Sequence, residues 1–204
     1  PKFKRSDFKL EKAAQKAEEA KRTSSMPDLP ITIPVIVHII HLGEPYGTDY
    51  HLPVGFVQEA IDDLNDNFAG EFSDDLTANT QINFCIANAS TNGSPIEGIR
   101  YYDWDNLGIE EWDATAFYNN HIQVSNQIGY DRNNYCNVFV APFSSPLGFA
   151  YLPSSNFGVF VGTNAFGITN TGNYGLNRTL VHEMGHYCGL YHTFHQTSTC
   201  TPTN

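Results

Sequence analysis

The chain opens on a stretch that is polar almost throughout. Between residues 6 and 22 only Leu10 and a thin alanine stripe (Ala13, Ala14, Ala17, Ala20) recur at helical spacing, with Ser6 placed to cap them. This predicts a basic helical arm too poor in apolar area to fold alone, a linker or the remnant of a pro-segment, over residues 1–30. Pro27 and Pro30 block any helix at its end. The character then changes. Ile31 to His41 is a β-branched apolar run and predicts a buried strand. After a loop, Val57, Ala60, Ile61, Leu64 and Phe68 recur at helical spacing, with Glu59, Asp62, Asp63 and Asp66 between them. That pattern predicts an amphipathic helix over 54–69. Residues 81–87 read as a strand, 93–105 as a turn and an aromatic stretch, and 110–128 as a helix. Three further strands are expected at 135–141, 148–152 and 157–161, and a Gly/Asn/Thr-rich loop over 162–177 leads into a last helical pattern. Elements in this order predict an α/β (α+β) domain over 31–204, a mixed sheet backed by helices.

Composition narrows the function. Of 204 residues, 11 are Lys or Arg and 22 are Asp or Glu, a formal net charge of −11. The charge is unevenly placed. Residues 1–25 carry about +4, and the rest, with no lysine after Lys21, carries about −15. A body this acidic excludes nucleic acid, whose binding draws on Lys and Arg. No apolar run reaches the ~18 residues of a membrane helix, so membrane insertion is not expected. Four cysteines (Cys85, Cys136, Cys188, Cys200) without a CxxC pair argue against a zinc finger or a thioredoxin-type site. They favour disulfides, an oxidising compartment and secretion. Two pairings are open, Cys188–Cys200 across the end of the last helix and Cys85–Cys136 between two strands.

The chemistry is concentrated in the last helical pattern, Asn177-Arg-Thr-Leu-Val-His182-Glu183-Met-Gly-His186-Tyr-Cys-Gly189-Leu-Tyr-His192. His182 and His186 are four residues apart, so a helix projects both from one face, where two imidazoles can bind one Zn2+. Glu183 stands beside the first ligand, placed to act as general base on an activated water. Gly189 is the residue that can end the helix in a left-handed conformation and let the chain double back. His192 then becomes a third ligand, and three protein ligands leave the open position of a catalytic site.

This H-E-x-x-H-x-x-G-x-x-H arrangement is the mark of the metzincins, and the words around it, through Thr193-Phe194, resemble the pappalysin (cytophagalysin-type) family of zinc metalloproteases. Ile31-Thr-Ile-Pro-Val-Ile-Val-His38, Ile82-Asn-Phe-Cys-Ile-Ala87 and Tyr135-Cys-Asn-Val-Phe-Val140 resemble it too. The resemblance implies a twisted five-stranded sheet with one antiparallel edge strand, a backing helix at 54–69 and an active-site helix at about 177–188. It makes Gly148, Phe149, Ala150 and Tyr151 the edge strand to which a protein or peptide substrate would add. It allows Ca2+ as a further cofactor, in loops mostly beyond Asn204, and it implies that a cysteine near position 200 pairs further downstream. One departure stands out. The family carries a methionine turn after the third histidine, yet neither Met26 nor Met184 is placed to form it. The resemblance therefore implies an N-terminal part, completed by a C-terminal segment or a second chain.

The expected function is a secreted zinc endopeptidase with Glu183 as general base; the alternative is a non-catalytic zinc-bound scaffold or binding module of a larger assembly. Other polar residues read as ordinary. His38 and His41 fall on opposite faces of the first strand, one packed and one at the surface. His195 reads as a loop histidine, and His51 and His121 have no evident partner. Asp62, Asp63, Asp66, Asp74 and Asp75 are not read as a calcium cluster, the first three being the exposed face of a helix, and Tyr101, Tyr102 and Trp104 read as core or rim aromatics. Asn88, Asn92 and Asn177 each begin an N-x-Ser/Thr sequon.

Overall fold

The computed structural model of the chain describes residues 30–71, 78–109, 114–143, 145–152, 155, 157–168 and 174–192. The basic arm over 1–29, Asp74, Asp75, His195 and Cys200 lie outside the described residues. The β-branched run forms the central strand β1 (Ile31–His41). The helix α1 (Val54–Ala69) follows, with Val57, Ala60, Ile61, Leu64 and Phe68 buried as its periodicity predicts. The chain continues through β2 (Ile82–Ile86), β3 (Ile99–Asp103), a 3-10 turn at Trp104–Leu107, α2 (Ala114–Ile128), β4 (Cys136–Ala141), β5 (Gly148–Ala150), β6 (Val159–Gly162) and α3 (Arg178–Tyr187).

The strands form one sheet in the order β2-β1-β4-β6-β5, parallel except for the antiparallel edge strand β5. A sixth strand, β3, joins where the aromatic stretch was expected. β2 pairs with residues 31–35 of β1 and β3 pairs with residues 37–41, so the two share one side of β1 in succession. The sheet thus has six strands, one more than the five expected, and five of them lie side by side only at the level of residues 37–39 of β1.

Both faces of the centre are covered, which is why β1, β4 and β6 are apolar on alternate residues of both parities. Val35, Val37 and Ile39 of β1, Val138 and Val140 of β4 and Val159 and Val161 of β6 pack against α1 and against Leu180 and Met184 of α3. Ile40, Phe139 and Phe160 on the other face pack against Phe117, Val124 and Ile128 of α2 and against Trp104.

Four rings on this second face cross the sheet as a ladder. His38 stacks on Phe139 at 4.7 Å, Phe139 on Phe160 at 4.8 Å, and Phe160 on Phe149 at 4.7 Å, all within 14° of parallel. The members are register partners on β1, β4, β6 and β5, and the ring spacing is that of the strands themselves. His121 of α2 closes the ladder edge-on to Phe149 and hydrogen-bonds the Tyr151 hydroxyl at 2.7 Å. At the other end of the sheet, the Asn65 side chain of α1 pairs with the Phe84 backbone of β2 like a peptide group. It donates to the carbonyl at 2.9 Å and accepts from the N–H at 2.7 Å.

Two expectations are corrected. Cys85 and Cys136 are both free thiols. They flank β1 on opposite sides and align with Pro34 and Val35, neighbours in β1 whose side chains leave opposite faces of the sheet, so the two thiols are divided by the sheet itself. Cys188 is also free, and the described residues hold no disulfide. His41, expected at the surface, is 8% exposed because His51 stacks on it at 3.9 Å.

His38 is fully buried; its Nε2 donates to Asn137 Oδ1 at 2.8 Å while Nδ1 has no partner. Burial lowers its pKa from 6.5 to about 4, so the folded protein keeps it neutral where the unfolded chain takes a proton. The stabilisation is therefore complete above about 6.5 and is lost as pH falls towards 4, at a cost of about 3 kcal/mol. Urea unfolding of the wild type between neutral pH and about 4 should show this loss, and His38→Gln should show a correspondingly shallower decline.

Candidate metal centre

Helix α3 is anchored at both ends, by a side chain at its start and a turn at its finish. At its start, Asn177 has φ 53° and is fully buried. Its Oδ1 accepts from Gly167 N at 2.9 Å, and its Nδ2 donates to Ala60 O at 2.8 Å and to Asp63 Oδ2 at 3.0 Å, both on α1. All the hydrogen-bonding capacity of this amide that can be seen is spent on tying the incoming loop and α3 to α1. The sequon reading of Asn177 missed this role, since a glycan on Nδ2 would break the tie. Met184, in the middle of the helix, is fully buried against the sheet with its sulfur 3.8 Å from Cys136 Sγ.

At its end, Gly189 adopts φ 98°. Gly189 N donates to His186 O at 2.9 Å and Leu190 N to Gly185 O at 3.0 Å, the paired bonds of a Schellman turn. The chain doubles back there as the motif predicts. Leu190 then acts a second time, because its carbonyl receives His186 Nδ1 at 2.7 Å. That bond places the ring proton on Nδ1 and leaves the Nε2 lone pair bare.

The consequence is a cluster of three imidazoles. The Nε2 atoms of His182, His186 and His192 are each 3.1 Å from the other two. Among the described residues this is the grouping of side chains able to hold a metal ion. Four tetrahedral nitrogens at the zinc distance of 2.0–2.1 Å would stand roughly 3.3 Å apart, so the donor set and its spacing fit such an ion. The oriented ring of His186 is the kind of second contact that metal-ligating histidines make. Burial and the two neighbouring imidazoles also lower the proton affinity of His182. A cavity of about 350 Å³ opens beside the cluster, lined by Val181, Gly185, Leu190 and Tyr191 together with the histidines.

Glu183 is 7% exposed, between α3 and the edge strand. Burial raises its carboxyl to about 7, with His186 opposing the shift, so it exchanges a proton near neutral pH. β5 runs past it. Leu147 O accepts from Gly162 N and Tyr151 N donates to Gly158 O, so alternate residues face β6 and the backbone groups of Gly148 and Ala150 point away from it. Phe149 and Tyr151 instead face α2, as members of or neighbours to the ring ladder. The acids of α1 are not assembled into a cation site, and Asp63 is engaged by Asn177 and Asn67. A cavity of about 590 Å³ lined by Asn126, Asp131, Arg132 and Phe157 is separate from the histidines.

No family model matches the sequence. An extracellular metalloprotease of Colletotrichum graminicola is 37% identical over 70 residues, a match that spans 28% of this chain and 24% of that protein. Mature mirolysin of Tannerella forsythia, solved in complex with a cleaved peptide, superposes with a TM-score of 0.68 at 24% identity, over 87% of this chain and 70% of that one. A promirolysin mutant of the same organism superposes with a TM-score of 0.66 at 22% identity, over 92% and 66%. The chain thus shares the mixed α/β fold of mirolysin, with its mostly parallel sheet. Among the described residues no helix is long and apolar enough to cross a membrane.

Replacing Asn177 by Ala removes three hydrogen bonds, two of them buried, and leaves the buried Gly167 N–H without its acceptor. Urea denaturation of Asn177→Ala should show a loss of about 2–4 kcal/mol; a loss below about 0.5 kcal/mol would show that the tie does not anchor the helix.

Proposed function

We propose that this chain carries the catalytic part of a secreted zinc-dependent endopeptidase of the pappalysin type, and the observation that carries the reading is the triangle of three Nε2 atoms beside a buried glutamate. His182, His186 and His192 would hold the zinc. The chemistry such an ion supplies is Lewis acidity towards a water molecule and a peptide carbonyl. The chain's own residues do the rest. Leu190 O keeps His186 in the tautomer that offers Nε2. Glu183, whose burial keeps it poised near neutral pH, takes the proton of the attacking water and delivers it to the departing amine.

The substrate reading follows from the edge strand. The outward backbone groups of Gly148 and Ala150 offer a peptide one further antiparallel or parallel strand, so main-chain hydrogen bonds would align the scissile bond with Glu183 and the histidines. The cleaved peptide in the mirolysin structure supports a peptide substrate, and the extracellular relative supports secretion. The acidic body would favour the approach of basic substrates without choosing the bond that is cut.

The decisive experiment pairs a chelator with one substitution. Chelation of the wild type should abolish cleavage of an unstructured protein substrate, and zinc should restore it. Glu183→Ala should retain bound zinc and lose about 10²–10⁴-fold in kcat. Near-normal turnover in Glu183→Ala would sink the mechanism, and a wild type that binds zinc but never cleaves would establish the scaffold reading instead.

A further inference from the structure

The edge strand approaches α3 more closely than substrate pairing requires. A Cβ at Gly148 would stand 2.7 Å from Thr179 Cγ2, 3.0 Å from Glu183 Cγ and 3.0 Å from Phe160 O. All three are below ordinary contact distance, and they come from two elements: two successive turns of α3 and the backbone of β6. We propose that Gly148 is a positioning residue for Glu183: with no side chain at 148, the backbone of β5 lies directly on the Glu183 stem and fixes the direction of its carboxylate.

The argument turns on which part yields when an atom is added at 148. Phe160 O belongs to the sheet backbone. The strand itself is held on both sides of Gly148, by the Gly162 N to Leu147 O bond of 2.8 Å and by Phe149 in the ring ladder, 4.7 Å from Phe160. Thr179 is β-branched on a helix, where its χ1 is restricted, and the helix is moored through Asn177 two residues earlier. What remains is the Glu183 side chain, whose Cγ can turn aside about the Cα–Cβ bond and carries the carboxylate with it. An added methyl therefore acts on the glutamate and leaves in place the three histidines, which line the separate cavity with Val181 and Leu190.

The inference rests on the proposed role of Glu183, and its test separates the two. In zinc-loaded Gly148→Ala, zinc content should stay as in the wild type. The crystal structure should show the Glu183 carboxylate displaced, with kcat lower by about 10- to 100-fold and KM changed by less than about twofold. Adding Thr179→Ser removes the methyl that meets the new one at 2.7 Å. The double variant should recover part of the loss, and it provides the same readouts should the single variant fail to fold. A raised KM with unchanged kcat would assign Gly148 to substrate pairing alone and overturn the inference, as would a Glu183 carboxylate that superposes on the wild type. If the wild type shows no chelator-sensitive cleavage, the protease reading falls, and the crystallographic position of Glu183 in Gly148→Ala still decides this one.

Discussion

The site depends on the register of a strand only three residues long. Gly148–Ala150 pairs with β6 through few backbone bonds, too few to specify a register by themselves, and a slip of one residue would exchange its two faces. Phe149 removes the ambiguity. Its ring continues a stack that begins on His38 in the central strand and steps outward at the spacing of the strands. Packing on the α2 face thereby dictates what happens on the α3 face: with Phe149 in the ladder, Gly148 and Ala150 must turn towards Glu183. The core transmits order from the central strand to the edge strand through ring contacts.

The helix that carries the histidines is positioned with similar economy. Asn177 moors its start to α1, Met184 presses its middle on the sheet, and the Gly189 turn closes its end while handing Leu190 O to His186. None of these contacts involves a metal, yet together they leave three nitrogens converging on one point. The arrangement is one in which the protein forms the binding geometry in advance, so that an arriving ion need not order the chain that receives it.

How much of this was legible in the sequence follows from the range of each interaction. The histidine motif, α1 and β1 are local patterns with a single period, and they were read at close to their observed limits. The antiparallel edge strand was expected from resemblance, although it ends at Ala150 and not at Leu152. β3 was missed because all five of its residues are half-buried, which leaves no alternation to detect. The Cys85–Cys136 pairing failed for a related reason: a sequence shows that two strands neighbour a third, but not on which sides. Asn177 looked like a sequon, and Gly148 like one residue of an edge strand that would pair with substrate. Their significance lies in contacts with α1 and α3 more than thirty residues away in the chain, and no local signal carries that.

The amide of Asn65 has a consequence at the far end of the sheet. A sheet that keeps an edge open offers it to other strands of any kind. If both edges were open, the free edge of one molecule could zip onto the opposite edge of the next, and a head-to-tail contact of that kind does not close on itself. By occupying the Phe84 N–H and carbonyl, Asn65 withdraws the middle of β2 from such a pairing. A single amide of the helix thus stands where a neighbouring strand's peptide group would dock.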